Sequence, residues 1–138
     1  MDVSERIEWE ELISDSPDAS EIQSFVDELD SEAGGRAIHS WLASEFSDVK
    51  EQVRFEGFCY DHERDYKGKF DCYDGDLVYE FKTKFGDTLD YAPFQDDLDQ
   101  LNGYLHAMEL DYGVLVYISR DDVTNVDEYL VEKFPLDE

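Results

Sequence analysis

Residues 66–82 read YKGKFDCYDGDLVYEFK, with an Asp-Gly pair between two runs of alternating side chains. Asp-Gly in this setting is a strong short-range signal for a β-hairpin with a two-residue turn. A turn at residues 74–75 pairs Asp71 with Val78, and directly opposed residues share one face of a hairpin. Glu80 is then the diagonal neighbour of Asp71, at a backbone distance of roughly 7–8 Å, so their side chains can converge on one ion.

The predicted register separates charged from apolar side chains in this hairpin. The first face carries Lys67, Lys69, Asp71, Val78, Glu80 and Lys82, and the second carries Phe70, Cys72, Leu77, Tyr79 and Phe81. Convergent carboxylates suit Mg²⁺ or Mn²⁺, which keep open positions for phosphate oxygens. A lysine beside such an ion can orient or deprotonate an attacking water. Asp71, Glu80 and Lys82 therefore predict hydrolysis of a phosphodiester bond; the alternative is a solvated hairpin face with Lys-Glu cross-strand pairs.

Outside the hairpin, hydrophobic periodicity predicts a mixed α/β domain of order ααβββαβα. Apolar residues recur at helical spacing over residues 20–31, 36–46 and 94–109. Gly34-Gly35 separates the first two of these predicted helices. Strands are predicted over residues 53–60, where the period is two, and 113–118, where the run is continuously apolar.

The two ends of the chain give weaker signals. Residues 1–19 are polar and contain Ser16-Pro17-Asp18, which predicts a loosely ordered or short helical segment. Near the other end, Asn125 or Asp127 is the predicted start of a last helix ending at Phe134. A length of 138 residues fits a single domain over residues 1–138.

Acidity is the dominant feature of the composition, with 37 Asp and Glu against 11 Lys and Arg and a net charge of -26. Such an excess is typical of an acidic tail, of a nucleic-acid mimic, or of a surface adapted to molar salt. The carboxylates are interleaved with apolar residues in each predicted helix, so no block of them forms a separate tail. The distribution favours a halophile surface, because at about 1 M salt the Debye length is about 3 Å and dispersed carboxylates no longer repel one another strongly.

The remaining composition indicates a folded, soluble protein. Hydrophobic residues make up 41% and aromatic residues 14% of the chain, which is too rich for a disordered protein. The sequence carries neither a membrane-spanning apolar run nor a secretion signal, which predicts a cytoplasmic location in a high-salt cytosol and no membrane partner. Cys59 and Cys72 are too few for a disulfide framework and are expected to be reduced and buried.

Basic residues are concentrated around the hairpin. Five of the eleven lie within residues 64–84, namely Arg64, Lys67, Lys69, Lys82 and Lys84. In so acidic a protein, this cluster indicates a binding site for an anionic ligand. Lys67, Lys69 and Lys84 are the predicted phosphate contacts.

Four elements of the sequence, in order, match a known nuclease pattern. They are Gly35-Arg36-Ala37-Ile38-His39 on the second predicted helix, Gly68-Lys69-Phe70-Asp71 and Glu80-Phe81-Lys82 on the hairpin, and Gln100 with Tyr104 on the third helix. On these residues the chain resembles the PD-(D/E)xK nuclease superfamily, and in particular its RecB-like branch, which includes the CRISPR-associated exonucleases. The resemblance extends from residue 35 to about residue 120.

The resemblance implies a fold and a role for each matching residue. The fold is a restriction-endonuclease-like core, a mixed central β-sheet flanked by helices. The implied metal ligands are His39, Asp71, Glu80 and the backbone carbonyl of Phe81. Lys82 would serve the nucleophilic water, while Gln100 and Tyr104 would support the site or contact the nucleic acid.

The implied activity is that of an exonuclease-like deoxyribonuclease that depends on Mg²⁺ or Mn²⁺. Its substrate would be single- or double-stranded DNA, and it would act alone or within a larger DNA-repair, CRISPR or viral replication complex. No iron-sulfur cluster is expected, because Cys59 and Cys72 cannot supply the four cysteines that cluster-containing members need. Two alternatives stay open: a catalytically silent module that binds nucleic acid or protein on the same fold, and an acidic mimic that inhibits a DNA-processing protein.

Overall fold

A computed structural model describes residues 8–46, 71–73 and 77–136 of the chain. Its elements are the helices α1 (Trp9–Ser14), α2 (Ala19–Val26), α3 (Ser31–Phe46) and α4 (Gln95–Met108), the strands β1 (Asp71–Tyr73), β2 (Val78–Lys84), β3 (Tyr112–Ser119) and β4 (Val126–Glu132), and a 3-10 turn (Thr88–Tyr91). The strands form one sheet in the order β1-β2-β3-β4. The β2–β3 pair is parallel and the other two pairs are antiparallel, so the described part of the chain is a mixed α/β fold.

The centre of the sheet follows from the apolar run that the sequence predicts as a buried strand. In β3 every residue from Gly113 to Ser119 is buried, which is typical of a strand covered on both faces. A parallel neighbour needs a crossover connection, and α4 provides it between β2 and β3. The predicted strand over 113–118 and the predicted helix over 94–109 are confirmed.

Helices cover the two faces of the sheet with separate apolar cores. On one face, α1, α2 and α3 pack against Tyr79, Phe81 and Val116. On the other face, Leu101 and Leu105 of α4 pack against β-strand residues that include Val78, Leu115 and Tyr117. Successive residues of β2 therefore point into different cores. None of the helices in the described ranges is long and apolar enough to cross a membrane.

The N-terminal segment contributes to the core. Trp9 of α1 is fully buried, and its ring meets Phe81 edge-on with centroids 4.9 Å apart. The Trp9 backbone N–H also donates to the Glu128 side chain of β4. Of the two alternatives predicted for residues 1–19, a loosely ordered or a short helical segment, residues 9–14 adopt the short helix. A large aromatic side chain and a carboxylate contact hold this helix against the sheet.

Helix α3 begins five residues before the predicted start at residue 36 and runs through Gly34 and Gly35. A Cβ on Gly34 would lie 2.5 Å from Nε of Arg120, and one on Gly35 would lie 2.9 Å from the Thr83 hydroxyl oxygen. These glycines therefore do not interrupt the helix. They allow the helix to approach the ends of β2 and β3 closely.

The last element is a strand, so the predicted helix from Asn125 or Asp127 to Phe134 is wrong. Val126, Tyr129 and Leu130 have helical spacing, but the backbone of residues 126–132 pairs along β3 from Ile118 back to Tyr112. Without β4, β3 would present an unpaired edge of backbone groups. Tertiary pairing thus overrides a local pattern, and the order of the described elements is αααββαββ. The strand predicted over 53–60 lies outside the described residues.

The pairing of β1 with β2 differs by two residues from the predicted register. Asp71 lies opposite Glu80, and Tyr73 lies opposite Val78, so four residues rather than two separate the paired ends. Because side chains alternate with a period of two, this shift keeps the paired residues 71–73 and 78–80 on their predicted faces. It places Asp71 directly opposite Glu80 instead of diagonally.

Candidate functional site

Strand β2 places two charged residues on the face that α4 covers. Glu80 is 0% exposed, and the Lys82 side chain is 13% exposed. Their closest charged atoms, Oε1 of Glu80 and Nζ of Lys82, are 3.9 Å apart. The solvated hairpin face considered as an alternative is therefore excluded for Glu80. Burying such charges is unfavourable unless they are paired or bind a ligand.

Helix α4 adds polar groups that face Lys82. The Lys82 ammonium donates a hydrogen bond of 2.6 Å to Oε1 of Gln100. Oδ1 of Asp97, one helical turn earlier, is 3.8 Å from the same nitrogen. The resemblance implied that Gln100 supports the site or contacts the nucleic acid, and in the structure the Gln100 side chain contacts Lys82 directly. Asp97 is an additional member of the site.

Tyr117 of β3 completes this cluster. The parallel register places Tyr117 beside Lys82 on the same face of the sheet. Its hydroxyl donates a hydrogen bond of 2.6 Å to Oδ2 of Asp97 and accepts one of 3.1 Å from the Phe94 backbone N–H. Burial, followed by the hydrogen bond to Asp97, raises the pKa of Tyr117 above its ordinary value of 10, so the hydroxyl stays protonated as a donor.

The structure places Asp71 and His39, two of the other predicted metal ligands, differently relative to Glu80. Residue 71 is directly opposite residue 80, and opposed Cβ atoms in antiparallel pairs are about 4.5–5.5 Å apart. His39 is buried on α3, in the helical layer on the opposite face of the sheet from Gln100. Within the ranges that the structure describes, no group of three or more His, Cys, Asp or Glu side chains is arranged to bind a metal ion. The joint metal site of His39, Asp71, Glu80 and the Phe81 carbonyl stays a prediction.

Of the predicted substrate contacts, the structure describes some and not others. Lys84 follows Lys82 on the same face, and its Nζ lies 5.2 Å from the centre of the Phe94 ring. Tyr104 is half-buried on α4, one turn beyond Gln100. Lys67 and Lys69 lie outside the described residues.

Asp97 and Tyr117 are the site residues that the sequence did not identify. A helical projection from Gln100 back by three residues would have placed Asp97 on the same face of α4. Tyr117 gave no signal, because a tyrosine in an apolar run reads as core packing.

Comparison with known proteins bears on the fold. No protein-family model matches the chain, and no curated protein matches it significantly. The crystal structure of SSO0001 is similar, with a TM-score of 0.50 and 22% sequence identity over 93% of this chain and 64% of that one. This chain therefore spans less than two thirds of the length of SSO0001. At such a sequence identity, the similarity concerns the fold alone.

Proposed function

We propose that the protein is a metal-dependent nuclease that hydrolyses DNA phosphodiester bonds by a PD-(D/E)xK mechanism on a restriction-endonuclease-like core. The observation that carries the proposal is the placement of Glu80 and Lys82 on the covered face of β2, with Asp71 directly opposite Glu80. Two charged side chains in a layer that apolar packing would otherwise fill are typical of a functional site.

The residues fit a divalent metal ion in their chemistry. Glu80 offers carboxylate oxygens in a buried setting, and the opposed Asp71 offers a second carboxylate, which is the hard oxygen set that Mg²⁺ and Mn²⁺ prefer. The Phe81 carbonyl and His39 are the further proposed ligands. When bound, the metal ion would supply Lewis-acid polarisation of a phosphate oxygen.

Lys82 has the role of orienting the attacking water. Its ammonium donates a hydrogen bond of 2.6 Å to Gln100 and lies within 4 Å of the Glu80 and Asp97 carboxylates. These contacts fix the position from which the ammonium can donate to the water. Attack of the water oxygen on phosphorus forms one P–O bond and breaks another, and the water proton leaves to solvent or to the oxygen of the departing strand. Positive charge on Lys82 offsets the charge that develops on the phosphate in the transition state.

Substrate binding falls to the lysines beyond the metal site and to α4. Lys84 extends the line of positive charge along β2, and Lys67 and Lys69 are the proposed contacts from the preceding strand. Tyr104 would support or contact the nucleic acid. Because the net charge is -26, approach of DNA is repulsive at low salt, and we expect cleavage to persist in molar KCl, unlike in an ordinary nuclease.

The decisive experiment is a cleavage assay with labelled linear and circular DNA, single- and double-stranded, in Mg²⁺ or Mn²⁺ and concentrated KCl. We expect Glu80→Gln and Lys82→Ala to abolish turnover. Lys133→Ala is the matched control, because Lys133 also lies 3.9 Å from a carboxylate oxygen, that of Asp111, but at the surface. Equal rates for the wild type and Lys82→Ala would contradict the role of Lys82, and nicking of circular DNA would exclude a purely end-dependent enzyme.

One observation favours a second candidate, a catalytically silent module that binds nucleic acid or a protein on the same fold. Gln100 and two carboxylates already engage the Lys82 ammonium, as in a purely structural polar cluster. The two candidates differ in the assay: the silent module would retain DNA in a gel-shift experiment with Mn²⁺ and release no cleaved product. Thermal stabilisation by Mn²⁺ that Glu80→Gln removes would favour the nuclease.

A further inference from the structure

Lys82 has a long, flexible side chain, and more than one contact is required to hold its ammonium in one place. The ammonium ends a flexible four-carbon stem, and its hydrogen bond to Gln100 restrains it from one direction only. Asp97 approaches the same nitrogen from a different turn of α4, with Oδ1 at 3.8 Å. Whether Asp97 can act as a fixed second contact depends on what holds its own carboxylate.

A chain of hydrogen bonds holds the Asp97 carboxylate from behind. The Phe94 backbone N–H donates to the Tyr117 hydroxyl oxygen, which directs the hydroxyl proton away from Phe94 and toward Asp97. Tyr117 then donates to Oδ2 of Asp97 at 2.6 Å, which leaves Oδ1 on the side of Lys82. Charge-assisted bonds of this length are among the stronger hydrogen bonds in proteins.

The register of the sheet makes the arrangement rigid. Lys82 and Tyr117 are neighbours across the parallel β2–β3 pair. The Tyr117 ring is packed at its edges by Phe94 and Tyr129, with centroids 6.0 Å and 5.8 Å away. Two backbone elements, β3 and the start of α4, therefore fix the hydroxyl and, through it, the carboxylate.

We propose that Asp97 and Tyr117 are positioning residues that hold the Lys82 ammonium in its working place in the active site. The inference rests on the proposed nuclease function for its catalytic meaning. Asp97 restrains the ammonium directly, and Tyr117 acts through Asp97. Neither residue carries the positive charge that attracts a phosphate, so their loss should reduce the rate of the chemical step and leave substrate binding unchanged.

The test uses Tyr117→Phe and Asp97→Asn in the full chain, because each changes one polar group and keeps the side-chain shape. Tyr112→Phe is the matched control, since Tyr112 also donates from β3 to a carboxylate, that of Glu132 at 3.1 Å, but at the exposed strand end. We expect kcat to fall about tenfold in both variants with KM within about twofold, the size expected for one lost charge-assisted hydrogen bond. Tyr112→Phe should retain the wild-type rate.

A second measurement follows the ammonium itself and needs no catalysis. In a protein labelled with ¹⁵N-lysine, the Lys82 ammonium signal is identified by its disappearance in Lys82→Ala, and its proton exchange with water is measured by NMR. We expect exchange to be about tenfold faster in Tyr117→Phe and Asp97→Asn than in the wild type and Tyr112→Phe. A purely structural role for the pair would change the melting temperature and leave this exchange rate as it is in the control.

The outcomes separate the positioning claim from the proposed function. Unchanged exchange of the Lys82 ammonium in both variants, with the fold intact by circular dichroism, overturns the positioning claim even if the enzyme is active. Absence of cleavage by the wild type overturns the proposed function, and faster exchange in the variants would then still support the positioning of Lys82. A rise in KM at constant kcat assigns the pair to substrate binding and also contradicts the claim.

Discussion

Gly103 and Gly34 lie inside helices, and their replacement by alanine should change stability in opposite directions. Gly103 is in α4, and a Cβ added there meets nothing within 4 Å. Glycine in a helix interior is about 1 kcal/mol less favourable than alanine, because it loses more backbone entropy on folding. Gly103→Ala should therefore raise the free energy of unfolding by about 1 kcal/mol, or the melting temperature by about 3–5 °C for a domain of this size.

Gly34 presents the opposite case, because the space beside it is occupied by the Arg120 guanidinium. An added Cβ would lie 2.5 Å from Nε and 2.6 Å from Cζ of Arg120. That side chain is 7% exposed and donates to the backbone carbonyl oxygens of Val26 at 2.9 Å, Leu29, and Asp30 at 3.1 Å. It cannot move aside without leaving these acceptors at the end of α2.

Whether Gly34→Ala stabilises or destabilises the protein depends on two opposing contributions, helix propensity and the hydrogen bonds of Arg120. The gain in helix propensity is about 1 kcal/mol, whereas each hydrogen bond from a charged group contributes about 1.5–3 kcal/mol. A single nitrogen, Nη2, makes all three contacts and carries two N–H groups, so displacing the side chain loses the equivalent of two bonds and gives a net destabilisation of about 2–5 kcal/mol. Urea unfolding in concentrated KCl, followed by circular dichroism, measures both variants against the wild type. If Gly34→Ala proved as stable as Gly103→Ala, the view of Arg120 as a clamp between α2, α3 and β3 would be wrong.

Three further predictions concern the aromatic core and the acidic surface. Trp9→Ala should lower the free energy of unfolding by about 3–5 kcal/mol in urea titrations, because it empties a fully buried site against Phe81. A hydrogen bond shared with Asp18 raises the pKa of Glu45 in the folded protein above 4.5. Protonated Glu45 therefore stabilises the fold fully below pH 4.5, and this stabilisation is lost as the pH rises through the higher pKa of the folded state. At low salt the melting temperature should accordingly fall between pH 4.5 and neutrality, and less steeply in Glu45→Gln. Raising KCl to about 2 M at neutral pH should increase the melting temperature, and a decrease would contradict the halophile interpretation of the surface.

The fold was predictable where the local hydrophobic pattern was compatible with only one type of secondary structure. The apolar run of β3 and the helical spacing of α4 are long enough to exclude other structures. Residues 126–132 failed this condition, because their spacing suits a helix and only the open edge of β3 selects a strand. Asp74-Gly75 predicted the β1–β2 pairing but not its register, since turn residues report local geometry and cannot specify which residues pair beyond them.

The site was predictable to the same extent. The period of two put Glu80 and Lys82 on one face of β2 regardless of the register, since a shift of two residues preserves faces. Asp97 was missed because the helical face of α4 was defined by its apolar residues. A role for an aspartate among them could be predicted only from its contacts with Lys82 and Tyr117, which the sequence does not show. Sequence patterns thus identify the faces of elements, whereas contacts between elements require the assembled sheet.

The cluster of Glu80, Lys82 and Asp97 lies in an apolar layer, and stability alone does not account for charged side chains at this position. The face of β2 under α4 begins with Val78, beside Leu101 and Leu105, and apolar residues continue in β3. Apolar residues of similar volume in place of a buried ion pair are often neutral or stabilising, so stability alone does not require Glu80 or Lys82 here. Local choices that conflict with the packing around them are concentrated at functional sites. The interruption of an apolar layer by a carboxylate, an ammonium and a restrained aspartate therefore supports a chemical role more strongly than any of the three residues does alone.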